Sequence, residues 1–168
     1  MEDGQGEKGF EGLACYRHGL RLFDAAYRLA ARLPVHERYN LADQLRRAAL
    51  SVLLNIAEGY GRYHYLDKLR FFYFARGSLC ETLSGFIAAH QAGYIEDEQL
   101  AWARMTEAEA EKSLNGYIGF IHKQQQGSTE YGHKLLRDDG SEYHISVPID
   151  AEISNEPDPA SEFLVPCP

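Results

Sequence analysis

LADQLRRAALSVLLNIAEGYGR, residues 41–62, is the stretch whose reading decides the fold. At about 3.6 residues per turn it forms a helix with three faces. Leu41, Leu45, Ala48, Val52 and Ile56 recur every three or four residues as one apolar stripe, which belongs against the core of its own domain. Leu50, Leu54 and Ala57 form a second apolar patch, roughly 140 to 180 degrees away at about 100 degrees per residue. Between them runs a polar line of Gln44, Arg47, Ser51, Asn55, Glu58 and Arg62. A single helix pair cannot bury both apolar faces, so the pattern predicts an assembly whose subunits meet at Leu50, Leu54 and Ala57.

Outward from this helix, the periodicity predicts three more. The first covers 10–33, with Leu13, Tyr16, Leu20, Phe23, Tyr27 and Ala30 as a bundle seam, Arg17, Arg21, Arg28 and Arg32 on a solvated face, and Pro34 as its stop. Asn40 is the expected N-cap of the second helix, and Gly59 and Gly61 its expected closing residues. The third covers 66–92, with Leu69, Phe72, Leu79, Leu83, Phe86 and His90 on one side and the small residues Gly77, Ser84, Gly85 and Ala88 on the other. Gly93, Tyr94 and Ile95 make a break. The acidic run 96–98 then suits a helix N-terminus, and a fourth helix continues to 126 with Leu100, Ala103, Glu107, Ala110, Leu114, Tyr117 and Ile121 as its seam. Glu107 is the discordant member. Four amphipathic helices with short links predict an all-α, up-down-up-down four-helix bundle.

A chain of 168 residues suits one domain with its own core. Its net charge of −8 is unevenly spread: residues 10–126 carry 14 Lys and Arg against 13 Asp and Glu, while residues 127–168 carry two basic against nine acidic residues. We therefore divide the chain into a disordered start (1–9), the bundle (10–126) and an acidic C-terminal tail (127–168). Within the tail, HKLLRDDGSEYHISV (133–147) has the Asp139-Gly140 pair of a small hairpin, and the acidic, proline-rich remainder reads as a disordered terminus, with a short docking motif at Phe163, Leu164 and Val165 as the lesser alternative. No stretch approaches the roughly 20 apolar residues of a membrane span, and the start is not a signal peptide. A cytoplasmic location is expected. Cys15, Cys80 and Cys167 are too few and too scattered for a disulfide framework or a zinc site.

The segments QLRRAALSVLLNIAEGYGR (44–62), FFYFARGSLCETL (71–83), AGYI (92–95) and SLNGYI (113–118), with Pro34, Glu37 and Leu41, together resemble a bacterial four-helix-bundle family. Its founding members are encoded by intervening sequences in 23S ribosomal RNA genes. The resemblance spans residues 10–123. The family often has Pro-Ser where this chain has Leu53-Leu54, a departure that bears on the middle of the second helix. The resemblance implies a ring-shaped homopentamer without enzymatic activity. A related branch, the accessory variability determinant of diversity-generating retroelements, binds nucleic acid and partners a reverse transcriptase.

The sequence offers no catalytic residue, cofactor site or metal site. Ser78 lacks the glycine framing of a nucleophile elbow, and the histidines 18, 36, 64, 90, 122, 133 and 144 include no pair three or four apart. His90 reads as a satisfied core residue. Glu58 and Arg76, in the NIAEG and ARGS segments, are the expected structural ion pair, because an arginine near an apolar face needs a carboxylate. Nucleic-acid binding is the sharper reading. Arg46, Arg47, Arg62, Lys68 and Arg70 for phosphate, and Tyr63 and Tyr65 for stacking, gather around the end of the second helix and the start of the third, with Tyr60 and Tyr73 interleaved. The alternative is an adaptor ring that recruits a protein through its acidic tail and binds no nucleic acid. Steep salt dependence separates phosphate binding from apolar docking.

Overall fold

The computed structural model describes residues 9–125. After a short 3-10 turn at Phe10–Gly12 come α1 (Ala14–Arg32), a second 3-10 turn at Val35–Glu37, α2 (Leu41–Gly61), α3 (Tyr65–Gln91) and α4 (Asp97–Gln124). The protein is an all-α four-helix bundle, with no strand among the described residues. Each helix packs on its neighbours in sequence, α1 also closes on α4, and α1 barely touches α3 across the diagonal. Gly59 of α2 faces Phe72 of α3 while Leu45 faces Gly85. As residue numbers rise on one helix they fall on the other, which makes the pair antiparallel. The tail hairpin and the docking motif lie outside the described residues.

The stripe on α2 is buried as its spacing requires: Leu45, Ala48, Val52 and Ile56 are at most 2 % exposed. Leu41 is partly buried and packs against this core. Ala49 and Leu53 join the buried set, and α2 runs unbroken through Leu53-Leu54. Leu53 lies against Gly19 of α1, where a side chain would come within 3.2 Å of it. Leucine at this position is therefore part of the α1–α2 contact.

Four local expectations need correction. The buried line of α1 is Cys15, Gly19, Leu22, Ala25, Ala26, Leu29 and Ala30, while Leu20 is exposed and Tyr16, Phe23 and Tyr27 are only partly buried. Small residues take the centre of the contact, where backbones approach, and the aromatics flank it. Asn40 makes no side-chain cap. Glu37 takes that role, accepting the Leu41 N–H at 3.3 Å and the Asn40 side-chain amide at 2.9 Å, and these bonds hold its carboxyl below the usual range. Gly59 and Gly61 do not close α2 through left-handed backbone, since neither has positive φ. Gly59 is buried inside the helix, where a Cβ would sit 2.8 Å from the Phe72 ring, so its missing side chain makes room for α3. Gly85 serves the same end from α3, where a Cβ would lie 2.6 Å from Leu45 Cδ2. Of the small-residue face, then, Gly85 is an internal contact, while Gly77, Ser84 and Ala88 face outward.

The break before α4 does use left-handed backbone, at Gly93 with φ 74. The helix then starts on a capping box in which Glu96 and Gln99 satisfy each other's backbone.

Glu107 is a real discord. It is 7 % exposed, and the charge that acts on it is that of Glu111, of the same sign. Burial, with the charge of Glu111 adding to it, raises its pKa. A raised folded-state pKa means that the protonated form is the one the fold favours, so stability is fullest below the unfolded value and falls as pH rises through the folded one. Glu107→Gln should therefore raise stability near neutral pH by on the order of 1 kcal/mol, with the gain fading in acid. Urea unfolding of both proteins at acid and neutral pH measures it. An equal or lower stability of the variant at neutral pH would show that the carboxylate has a favourable partner.

Candidate nucleic-acid interface

The end of α2 and the start of α3 meet across a three-residue turn, Arg62, Tyr63 and His64. Arg62 caps α2 in extended geometry. Its guanidinium donates to Glu58, one turn back, and lies over the Phe71 ring with its carbon 4.9 Å from the centroid. Arg70 lies over Phe74 in the same way, at 5.5 Å. Phe71 and Phe74 meet edge to face at 6.1 Å, so two arginines and two phenylalanines form a connected surface. Sequence reading missed both phenylalanines as site residues. The Arg70-Phe74 spacing of four was the available signal.

Of the tyrosines around this turn, Tyr63 is 53 % exposed and Tyr60 38 %. Tyr65 and Tyr73 pack against the core, and Tyr60 is at the edge of Phe10. The Tyr73 hydroxyl meets His122 Nε2 at 3.2 Å. Lys68 is partly buried.

Arg46 and Arg47 do not join this group. Sixteen residues of helix separate Arg46 from Arg62, which is about 24 Å along the axis. Arg46 donates to the Ala30 carbonyl at 3.0 Å, and Arg47 pairs with Asp43 at 3.3 Å. The seven residues expected in one patch thus divide between the two ends of α2.

The expected Glu58–Arg76 pair is not formed. Glu58 stands exposed on the last turns of α2 and meets Arg62. Arg76 is turned toward α4, where it donates to Asn115 at 3.3 Å and covers the Tyr73 ring at 5.0 Å. A neutral amide and an aromatic face supply what a carboxylate was expected to supply.

Leu50 and Leu54 are 38 % and 59 % exposed. Leu54 and Ala57 line an open groove of about 790 Å³ together with Asn55, Glu58, Gly61, Arg62 and Phe71. The apolar patch of α2 and the basic aromatic surface are therefore one continuous face, with the leucines along the helix and the arginines at its end.

The polar groups elsewhere are structural. Ser78 is buried, shares a 2.9 Å hydrogen bond with Ser51 and donates to the Phe74 carbonyl, so it ties α3 to α2. His90 is partly buried and meets Asp97 at 2.8 Å. Burial pushes the Cys15 thiol up to about 12, and burial with the charges of Glu107 and Glu111 raises that of Cys80, so neither is an activated nucleophile. Among the described residues no group of three or more His, Cys, Asp and Glu is placed to hold a metal ion. No described helix is long and apolar enough to cross a membrane.

A family model described as "23S rRNA-intervening sequence protein" matches residues 11–116. Among curated proteins, none matches the chain.

Proposed function

The chain belongs to the 23S rRNA-intervening sequence protein family, and on that premise and the geometry of α2 and α3 we propose that it is a non-enzymatic, self-assembling protein that binds nucleic acid. The observation that carries this reading is the continuous α2–α3 face. Leu50, Leu54 and Ala57 leave apolar surface that a second copy would cover, Arg62 lines the same groove, and Lys68 and Arg70 follow on the first turns of α3. Each copy added to a closed assembly repeats the basic edge, so weak phosphate contacts multiply by avidity. The family resemblance supports five copies in a ring. The resemblance to retroelement accessory proteins supports a ribonucleoprotein partner such as a reverse transcriptase. The helical core needs no cofactor, and the cytoplasm is the fitting compartment.

One observation favours the second reading, a protein adaptor. Arg47 and Arg62 already have carboxylate neighbours in Asp43 and Glu58, and residues 127–168 are strongly acidic. Such exposed pairs are weak, however, and yield to a phosphate. Simultaneous reversal of Arg62, Lys68 and Arg70 to glutamate tests the choice. It should abolish binding to a structured RNA at low salt while leaving the helical content intact. Undiminished RNA binding would overturn this placement, and no binding by the unaltered protein would leave the adaptor.

A further inference from the structure

The charge of the bundle is divided by height. Arg21 of α1 meets Glu109 of α4 at 3.1 Å, Gly19 of α1 faces Val52 of α2, and Ser51 of α2 meets Ser78 of α3 at 2.9 Å, so these contacts mark one level near the middle of all four helices. One half, with the start of α1 and the end of α4, comprises residues 10–23, 51–79 and 109–125 and holds eight Lys and Arg against five Asp and Glu. The other half, residues 24–50 and 80–108, holds six against eight, and Glu96, Asp97 and Glu98 at the start of α4 tip it negative. The near-neutral sum over the bundle therefore hides a basic half and an acidic half.

On the α1–α4 side of the basic half, Arg17, Lys112 and Lys123 are exposed. Arg17 lies one turn before Arg21 and Lys112 one turn after Glu109, so the antiparallel helices bring them to one level. Glu109 is engaged by Arg21 and, at 3.5 Å, by His18. Glu111 acts on Cys80 of α3 and so belongs to the α3 side, while Asp24, just above, is matched by Arg28 at 2.8 Å. With Glu11 before α1 counted, this side still carries four cations, Arg17, Arg21, Lys112 and Lys123, against two acids. Helix α4 ends at Gln124 in the same half, so the acidic tail starts beside this surface. From residue 138 on, the tail has eight Asp and Glu and no Lys or Arg, and five of the eight fall between Asp150 and Glu162.

We propose that the acidic segment 150–162 of the chain docks on the α1–α4 side of the basic half, with its carboxylates against Arg17, Lys112 and Lys123. The reach is ample. Lys112 lies about 18 Å back along α4 from Gln124, whereas an extended chain covers about 3.3 Å per residue and 25 residues separate Gln125 from Asp150. Exposed charge pairs are individually weak, but a tethered segment acts at an effective concentration of about a millimolar, which favours it over any free polyanion of similar charge. The inference involves neither the α2–α3 face nor nucleic acid, and it stands whether or not the protein binds RNA.

Trp102 is the single tryptophan of the chain and lies two turns before Glu109, on the same side of α4. The test is energy transfer in the full chain from Trp102 to a dansyl group on Cys167, five residues past Glu162, with Cys80→Ser removing the exposed thiol of the bundle. Docking predicts transfer that is high at low salt and falls as salt screens the contact. A free acidic tail would do the opposite, because it repels itself and contracts when salt is added. Arg17→Glu with Lys112→Glu should bring the low-salt transfer down to its high-salt level, with helical circular dichroism unchanged. Glu156→Gln, Asp158→Asn and Glu162→Gln together should do the same and leave the bundle untouched. Transfer that rises with salt, or that neither set of substitutions lowers, overturns the docking. If Arg17→Glu with Lys112→Glu then abolishes binding to a single-stranded RNA without lowering the transfer, the face belongs to nucleic acid instead.

Discussion

Phe72→Ala is expected to destabilise the protein by about 3–5 kcal/mol, the cost typical of removing a fully buried aromatic ring. The Phe72 side chain is 0 % exposed, its ring centroid is 5.0 Å from that of Tyr117 on α4, and its edge meets the bare backbone of Gly59 on α2. The ring thus joins three helices at one level. The cavity left by alanine cannot be filled from α2, because Gly59 has no side chain to offer. Urea unfolding measures the loss.

The same contact sets the sign of a second substitution there. Inside a helix, glycine to alanine usually gains up to about 1 kcal/mol. At Gly59 the added carbon would lie 2.8 Å from the Phe72 ring and 3.1 Å from Phe71 Cβ, and overpacking costs roughly 1–3 kcal/mol. Gly59→Ala should therefore destabilise, and should cost less when combined with Phe72→Leu, since the two share one space. A stabilising Gly59→Ala would mean that α2 and α3 are not held at this distance by Phe72.

Leu54→Glu is expected to have the largest effect on assembly and almost none on the fold. Leu54 is 59 % exposed, so a charge there stays hydrated in the single chain, and surface changes of this kind usually fall within about 0.5 kcal/mol. In an assembly it would bury a carboxylate against the neighbour's apolar surface, at a cost of several kcal/mol per copy. Light scattering should find the unaltered protein at a multiple of 19.0 kDa and Leu54→Glu at the mass of one chain, with unchanged helical circular dichroism. Equal masses for the two would place the subunit contact elsewhere or remove it.

The fold was legible because the helices are long and their polarity is periodic. The α2 stripe, the stop at Pro34 and the break at Gly93 each follow from one local rule, and all three hold. The α1 seam misled because hydrophobicity does not rank side chains by depth. Gly19 and Ala26 occupy the centre where helices approach most closely, and Tyr16, Phe23 and Tyr27 are too large to sit there. Gly59 misled for a related reason: near a helix end, a glycine for backbone freedom and a glycine for close packing look alike until the facing residue is known.

The candidate site was legible in part. Arg62, Lys68 and Arg70 are near one another because a short turn joins the elements that carry them. Arg46 and Arg47 are near in sequence but distant along a straight rod. Phe71 and Phe74 are hard to read as site residues, because an aromatic on a mostly apolar helix usually faces the core, and only the Arg70-Phe74 spacing of four marks one of them. Glu37 could not be found from propensity either. Its partners Leu41 and Tyr94 are 4 and 57 residues away, and only the folded bundle brings Tyr94 to it.

The central claim, an assembly that holds nucleic acid by charge, is tested most directly by one titration: the full chain against a structured RNA across a salt series, with the mass of the same sample fixed by light scattering. The account predicts a particle of several chains whose affinity falls steeply as salt rises, because each phosphate contact releases counterions. A particle of several chains that ignores RNA at low salt, or one that binds it equally well at every salt concentration, would contradict it.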